Sequence, residues 1–192
     1  MSYFKIPTPS NTLSNILSKT LLTGFCFMIY SVSCFAQEGY PEPEKTTNRL
    51  FYIQHSKNHN TYVYDANISN GVLNASEPVN EYEIVYTDKG QKRPLSVLQR
   101  RMAYGIIVLD SHPDKYKLRL AASDKISFYL KQTPKHGSRV YITVNNRKML
   151  LGKMFVQLTT GFLGLRPKAD FVLLYGSDFT TGTAVVEKIE ID

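Results

Sequence analysis

Short segments in which apolar and polar residues alternate at every second position constrain this chain most. The clearest is Glu81–Thr87 (EYEIVYT), where Tyr82, Ile84 and Tyr86 share one face and the two glutamates share the other. A period of two is that of a β-strand, whose successive side chains point to opposite sides. The chain has thirteen Tyr, ten Phe and no Trp, and aromatic residues of these types favour strands. The pattern therefore predicts a sheet protein.

The same alternation recurs along the chain, and most connections between the segments are short. Strands joined by short links usually pair antiparallel. A sheet of about ten strands protects its edges by closing into a barrel or by packing as two layers. We therefore expect an all-β fold, an antiparallel meander that forms a β-barrel or a barrel-like sandwich, with Gly152 as a candidate bulge. An open sheet that carries a helix is the third alternative. The other predicted strands are Leu50–His55, Thr61–Asn67, Ile106–Asp110, Tyr116–Ala121, Ile126–Lys131, Arg139–Val144, Lys148–Leu151, Lys153–Thr159, Asp170–Tyr175 and Ala184–Ile191.

One segment interrupts the strand pattern. Ser96 and Gln99 have the spacing of a capping box, a proline precedes them and a glycine follows. This pattern predicts one short helix near residues 96–103. Leu98 and Met102 fall on one helical face, with Leu95 as a further candidate, and we expect that face to pack on the sheet because so short a helix is marginal alone.

The N-terminus has the features of a secretory signal. Residues 1–36 contain Lys5 and Lys19 as their only charges, followed by a short apolar run that ends in small residues. The run is too short and too interrupted to span a membrane comfortably. We expect a signal peptide over residues 1–36, a flexible leader rich in proline over 37–48 and a single β domain over 49–192.

Cysteine placement supports export. Both cysteines, Cys26 and Cys34, lie in the predicted signal peptide, so the mature domain would have none. This excludes thiol catalysis, zinc–cysteine sites and disulfides in that domain. We expect a periplasmic or extracellular protein without a transmembrane span. Lipidation at Cys34, which would make an outer-membrane lipoprotein, stays open as the alternative.

The charge pattern argues against nucleic acid as a partner. Without the two signal-peptide lysines, 21 basic residues face 16 acidic ones, a net charge of about +5. The basic residues are spread along the chain, and a nucleic-acid site usually needs a basic stripe. His55 and His59 have a metal-ligand spacing only on a helix, and we expect both to be exposed near a strand end. The sequence predicts no metal and no cofactor, and it leaves the oligomeric state open.

A candidate binding site lies where the predicted helix would meet the sheet. Polar residues at the end of the second strand would face the polar side of the helix, and together they would line the mouth of a pocket. The alternative is that the strand-end pair caps a turn or forms an ion pair that fixes the helix. The candidate binding residues are Asp65, Asn67, Gln99, Arg100, Arg101 and Tyr104.

Three functions are compatible with these patterns. The chain has no nucleophile elbow, no zinc-protease motif and no cysteine nucleophile in the mature part, which favours a module that binds a small or envelope-derived ligand or a protein partner. A hydrolase acting through Asp65, Asp110 and His112 is the enzymatic alternative. The third is a structural accessory protein of the cell envelope.

Three groups of short sequence motifs recur in a known family. The first group is Leu50-Phe51-Tyr52-Ile53-Gln54, Ser56-Lys57-Asn58, Asn60-Thr61 and Tyr64-Asp65-Ala66-Asn67; the second is Leu98-Gln99-Arg100 with Ala103-Tyr104-Gly105; the third is Gly176, Asp178, Thr181-Gly182 and Glu187-Lys188. On these motifs the chain resembles an uncharacterised family of exported bacterial proteins, domain of unknown function 4833, over about residues 49–191. The resemblance implies export and a single domain, and it carries over no catalytic residue.

Overall fold

A computed structural model describes residues 39–133, 137–160 and 168–191. The predicted signal peptide, residues 1–36, lies outside the described residues, and so does Cys34 with its predicted alternative of lipidation. No helix within the described ranges is long and apolar enough to cross a membrane.

The alternating segments form thirteen strands among the described residues. The helix predicted near residues 96–103 is present, and the prediction of an all-β fold with one short helix is confirmed. The elements are β1 Arg49–His55, β2 Asn58–Ala66, β3 Ile68–Ser69, β4 Val72–Leu73, β5 Val79–Val85, a 3-10 turn Tyr86–Asp88, β6 Gln91–Pro94, α1 Val97–Gln99, a π-helical turn Arg100–Tyr104, β7 Ile106–His112, β8 Lys115–Leu120, β9 Ser127–Thr133, β10 Gly137–Val144, β11 Arg147–Thr159, β12 Lys168–Asp178 and β13 Ala184–Glu190.

Eleven of the described strands form one curled sheet, a half-barrel, which confirms the barrel-like prediction. The strand order is β6-β5-β2-β1-β11-β10-β9-β8-β7, and β12 pairs with both β11 and β13. Neighbouring strands are antiparallel, as a meander requires, except that β1 and β11 run parallel. The short strands β3 and β4 form a separate two-stranded ribbon.

Strand β11 is long enough to hold two partners on one edge. Its residues 147–150 pair with β10, and its residues 153–156 pair with β1. The sheet therefore forks at β11 into an N-terminal arm (β1, β2, β5 and β6) and a C-terminal arm (β7 to β10). The register against β12 shifts between Leu151 and Lys153, the position of the predicted bulge at Gly152.

The hydrophobic core lies between the two arms. The ring of Phe51 on β1 stacks on Tyr64 of β2 with ring centroids 4.4 Å apart. The same ring meets Phe128 of β9 edge to face at 5.4 Å. All three side chains are fully buried. Because Phe51 and Phe128 belong to different arms, this contact holds the arms together by burying apolar surface on both.

Residues 39–48, within the predicted leader, lie against the outer face of the N-terminal arm and β11. The ring of Tyr40 meets Phe155 edge to face at 5.2 Å, and the carbonyl of Pro41 accepts a hydrogen bond from Gln54 Nε2 at 2.7 Å. The hydrogen bond gives the buried Gln54 amide nitrogen an acceptor. The division of the chain into leader and domain stays a prediction.

The helical segment, residues 97–104, begins with the predicted capping box. The Gln99 N–H donates to Ser96 Oγ at 3.2 Å, and the Ser96 N–H donates to Gln99 Oε1 at 2.9 Å. The predicted packing face is wrong for Leu98, which is 70% exposed, and for Met102, which is 64% exposed, whereas the further candidate Leu95 is buried. The sheet surface beneath this segment is polar, and the polar and aromatic side chains of the segment face it instead.

Candidate functional site

A groove of about 390 Å³ lies between the start of β5, the start of β7 and the helical segment. This size falls within the usual range of small-ligand sites, roughly 300–1,000 Å³. Its walls combine carboxylates, a guanidinium and apolar side chains. We call it the Glu81 groove, and its principal lining residues are Glu77, Val79, Glu81, Arg100, Ile106 and Val108.

The groove is the seam at which the half-barrel stays open. Strand β6 pairs with residues 82–85 of β5, so residues 79–81 have no strand partner on that edge among the described strands. Strand β7, on the other side of the seam, pairs with β8 and ends the sheet. The helical segment is the connection that leads from β6 to β7 across this opening.

Glu81 bridges the seam with a buried side chain. The side chain is 6% exposed, and its Oε1 accepts a hydrogen bond from the Ile106 N–H at 2.7 Å. Its Oε2 lies 3.2 Å from Arg100 Nη1 but accepts no hydrogen bond from any described residue. Burial raises the pKa of Glu81, and the Ile106 N–H and the Arg100 guanidinium offset part of that rise.

Arg100 balances one of the two carboxylates in the groove. Its Nη1 lies 3.3 Å from Glu77 Oε1 and 3.2 Å from Glu81 Oε2. The groove therefore holds two carboxylates against one guanidinium, with one negative charge in excess. The apolar walls formed by Val79, Ile106 and Val108 complete a surface that suits a cationic group attached to an apolar body.

A second polar group, buried under the helical segment, surrounds Glu83. We call it the Glu83 cluster. Glu83 is 9% exposed, and its Oε1 accepts from Asn60 Nδ2 at 2.9 Å. Its Oε2 accepts from Gln99 Nε2 at 3.2 Å, and the charge of the same carboxylate adds to the rise that burial causes in the pKa of Tyr62. Neutral donors thus compensate the buried carboxylate. The cluster consists of His55, Asn60, Tyr62, Glu83, Gln99 and Tyr104.

Aromatic stacking closes the Glu83 cluster. The rings of Tyr62 and Tyr104 are stacked with centroids 3.4 Å apart, and His55 stacks on Tyr62 at 5.9 Å. His55 is 5% exposed, so the prediction that it is solvent-exposed is wrong. Burial lowers the pKa of His55, and its Nδ1 accepts a hydrogen bond from the Lys57 N–H at 3.2 Å. Burial raises the pKa of Tyr62.

The Glu83 cluster positions the guanidinium of the groove. Gln99 is held by Glu83, and the Tyr104 carbonyl accepts a hydrogen bond from the Tyr64 hydroxyl at 2.7 Å. Arg100 lies between these two anchored residues in the chain. Its backbone position is therefore set from both sides, and its side chain is directed to the carboxylates of the groove.

The structure brings three of the predicted binding residues together. Gln99, Arg100 and Tyr104 lie where the helical segment meets the sheet. Asn67 lies near the rim of the Glu81 groove, where its Nδ2 donates to the Glu77 carbonyl at 2.8 Å. Arg101 is exposed and forms no ion pair with any described residue.

Asp65 lies on the other face of β2. Its Oδ1 is 2.5 Å from Arg49 Nε, and its Oδ2 accepts from the Tyr82 hydroxyl at 2.9 Å. The carboxylate therefore pairs with β1 rather than with an arginine of the helical segment. Asp65 stabilises the contact between the first two strands on the face opposite the Glu81 groove.

A family model described as "Domain of unknown function (DUF4833)" matches residues 51–188. The chain belongs to this family. Comparisons with curated proteins and with solved structures give no match. The matched range of DUF4833 includes both the Glu81 groove and the Glu83 cluster, so the two sites are parts of the family domain rather than of its flanks.

The residues of the hydrolase alternative do not converge in this DUF4833 domain. Asp110 Oδ2 and His112 Nε2 lie 3.4 Å apart near the end of β7, with side chains 61% and 67% exposed. Asp65 is paired with Arg49 elsewhere in the sheet. A carboxylate and a histidine need a shared cleft to act on one substrate, and these three residues do not share one.

Sequence reasoning missed two buried glutamates of the DUF4833 domain. Glu81 and Glu83 face the helical segment, although a glutamate face usually indicates solvent. A signal was present in the chain, because Val79 and Val85 lie on the same face of β5 at its two ends, and both are buried. Apolar residues that bracket charged ones on a strand indicate a covered face.

Proposed function

We propose that this DUF4833 chain is a non-enzymatic binding module that takes a small cationic ligand in the Glu81 groove. The observation that supports it is the Glu81 carboxylate, which is 6% exposed and has one oxygen without a hydrogen bond among the described residues. A buried acceptor left without a donor costs about 1–3 kcal/mol. An ammonium or guanidinium group on a ligand would supply that donor, and the excess negative charge of the groove would attract it.

The proposal includes the cellular setting predicted from the sequence. The protein would be exported after cleavage of residues 1–36, and its ligand would come from the cell envelope or the medium. Mass spectrometry of the mature protein tests this setting: an N-terminus at Gln37 or its pyroglutamate is expected. A lipidated Cys34 at the N-terminus would replace this setting with an outer-membrane lipoprotein.

Three probes of nearly equal size test the ligand chemistry: n-pentylammonium, 1-pentanol and pentanoate. Nuclear magnetic resonance titration of the full chain should show pentylammonium shifting the backbone amides of Ile106 and Val108. Neither the neutral alcohol nor the anion should do so at the same concentration. Equal shifts with pentanol would contradict the proposal, because binding would then depend on apolar contact alone.

Substitution of Glu81 tests the same site from the protein side. Glu81→Gln keeps an oxygen to accept from the Ile106 N–H and removes the charge. We expect it to weaken pentylammonium binding at least about tenfold, the loss of one charge-assisted hydrogen bond. Glu187→Gln is the matched control, since Glu187 also pairs with an arginine, Arg147, but lies on β13. Equal affinity in the two variants would refute the assignment.

A further inference from the structure

One edge of β7 has no strand partner among the described residues, and it faces the Glu81 groove. Strand β7 pairs with β8 alone among the described strands. The Ile106 N–H donates to Glu81 Oε1 across the seam, so that N–H points away from β8. Backbone groups along a strand alternate between its two edges, which places the N–H of Val108 on the groove side as well.

The other terminal strands of the sheet carry features that discourage pairing. Strand β6 contains Pro94 with two basic residues, and β13 carries an exposed Lys188–Glu190 ion pair. Proline and charged side chains are common protections of an exposed edge. In β7 the register shift and the charged residues Asp110 and His112 come after Val108, and the first part of the strand is apolar. Ile107, Val108 and Leu109 are 36%, 39% and 46% exposed. An apolar edge segment beside a groove is a surface onto which an extended chain can add a strand.

We propose that the ligand of the Glu81 groove is an extended peptide segment of another protein, which adds a strand to β7 and places a lysine or arginine side chain beside Glu81. This inference rests on the proposed function, because it names the ligand class of the same groove. The backbone edge of Val108 supplies main-chain hydrogen bonds, and the excess negative charge of the groove selects the basic side chain.

Charge argues for a basic peptide over a second copy of this chain. Pairing of two β7 edges would bring the segment Ile106–His112 into the seam. Its titratable residues are Asp110 and His112, so it carries neither lysine nor arginine to meet Glu81. A second copy would leave the buried carboxylate oxygen without a donor, whereas a lysine-bearing strand supplies one.

The test uses a fluorescent peptide of alternating valine and lysine, five residues long and blocked at both ends. Its affinity for the full chain is measured by fluorescence anisotropy. We expect it to bind at least about tenfold more tightly than pentylammonium, because main-chain bonds are added to the charge contact. N-methylation of the alternate amides that face β7 should remove at least about tenfold of the affinity, and N-methylation of the other set should leave it within about threefold.

A pair of variants tests the edge from the protein side. Val108→Pro removes an outward-facing N–H, which an edge position tolerates, and Val108→Ala keeps it. We expect Val108→Pro to weaken the peptide at least about tenfold and Val108→Ala to weaken it less than about threefold. Circular dichroism confirms that both variants are folded. If Val108→Pro does not fold, the N-methylated peptides decide the question on the unaltered protein.

The outcomes separate this inference from the proposed function. If both N-methylated peptides bind as tightly as the parent while Glu81→Gln still loses pentylammonium, strand addition is overturned and the cationic site stands. If Glu81→Gln changes neither probe, both proposals fail. Sedimentation of the chain without peptide measures its oligomeric state. A dimer that Val108→Pro abolishes would overturn the peptide proposal in favour of a second copy of the chain.

Discussion

The hydroxyl of Tyr64 offers a direct measure of how the helical segment is held over the sheet. It donates to the carbonyl of Tyr104 at 2.7 Å, and the Tyr64 ring is fully buried against Phe51. Tyr64→Phe removes this hydroxyl and keeps the ring, its stacking and its apolar area. The variant therefore isolates one hydrogen bond between β2 and the end of the helical segment.

The magnitude follows from the complete burial of Tyr64 and the partial burial of Tyr104. The net contribution of a typical hydrogen bond is about 0.5–1.5 kcal/mol, and a buried acceptor that loses its donor costs about 1–3 kcal/mol. The Tyr104 carbonyl is at the covered side of the helical segment, so we expect Tyr64→Phe to lower the free energy of unfolding by about 2 kcal/mol. For a domain of this size, that corresponds to a fall in Tm of about 4–8 °C.

The assay combines urea denaturation with amide hydrogen exchange. Denaturation gives the change in global stability, and exchange should show faster opening of residues 97–104 than of the core strands. Tyr141→Phe is the control, because Tyr141 is only half-buried and lies on the outer face of β10. We expect this control to change stability by less than about 0.5 kcal/mol.

Two results would refute the reasoning. If Tyr64→Phe matches the Tyr141 control in stability, the hydrogen bond to Tyr104 contributes nothing. If stability falls but residues 97–104 exchange no faster relative to the core, the bond supports the fold without anchoring the helical segment. Pentylammonium titration of Tyr64→Phe links the measurement to the Glu81 groove. A loosened segment would move Arg100 away from Glu77 and Glu81, and the more negative groove should then bind the cation more tightly.

Two further perturbations test the fold and its pH dependence. Gly176→Ala should destabilise by more than about 2 kcal/mol, because a Cβ there would overlap the Leu150 carbonyl oxygen. Gly152→Ala is its control, because a Cβ there would lie 3.7 Å from the Tyr175 carbonyl oxygen, an ordinary van der Waals contact, and equal losses of Tm would contradict the packing argument. The lowered pKa of His55 contributes stability above pH about 6.5 that is lost as pH falls through the folded-state pKa. Between about pH 7 and pH 5, the Tm of His55→Gln should therefore fall less steeply than the Tm of the unaltered protein, and parallel slopes would contradict this. The raised pKa of Glu81 acts with the opposite sign, and it does so equally in both proteins.

Local patterns predicted much of the secondary structure. Alternation identified the long strands to within a few residues, and the Ser96–Gln99 spacing identified the capping box. These signals are local, because a strand or a cap is decided by residues within a few positions of one another. The short β6, with its proline and charged residues, has no such pattern and was missed.

The packing of the helical segment could not be predicted from local patterns. An apolar pair, Leu98 and Met102, predicted the buried face, yet both are exposed. The residues that face the sheet are Gln99 and Tyr104, because the surface beneath them holds the buried Glu83 carboxylate. Which face of a short helix is buried depends on the partner surface, and that surface comes from strands far away in the chain.

The parallel pairing of β1 with β11 was equally beyond local signals. Adjacent strands in the chain pair antiparallel through short links, and this rule holds for most of the sheet. The parallel pair joins β1 to β11, which are separated in the chain by the whole C-terminal arm, and no turn motif in the sequence indicates this pairing. The Glu81 groove was hidden for the same reason, since its walls come from β5, the helical segment and β7.

That long-range pair dictates an order of events during synthesis. The Ser56 hydroxyl accepts a hydrogen bond from the N–H of Leu158, 102 positions later in the chain. One edge of β1 therefore stays unpaired until β11, near the end of the chain, has been synthesised. Closing so large a loop is entropically costly, so folding is expected to be slow, with nascent chains vulnerable to aggregation in the interval. Truncation shortly before residue 153 would remove the part of β11 that pairs with β1, and the N-terminal arm would keep an unpaired strand edge.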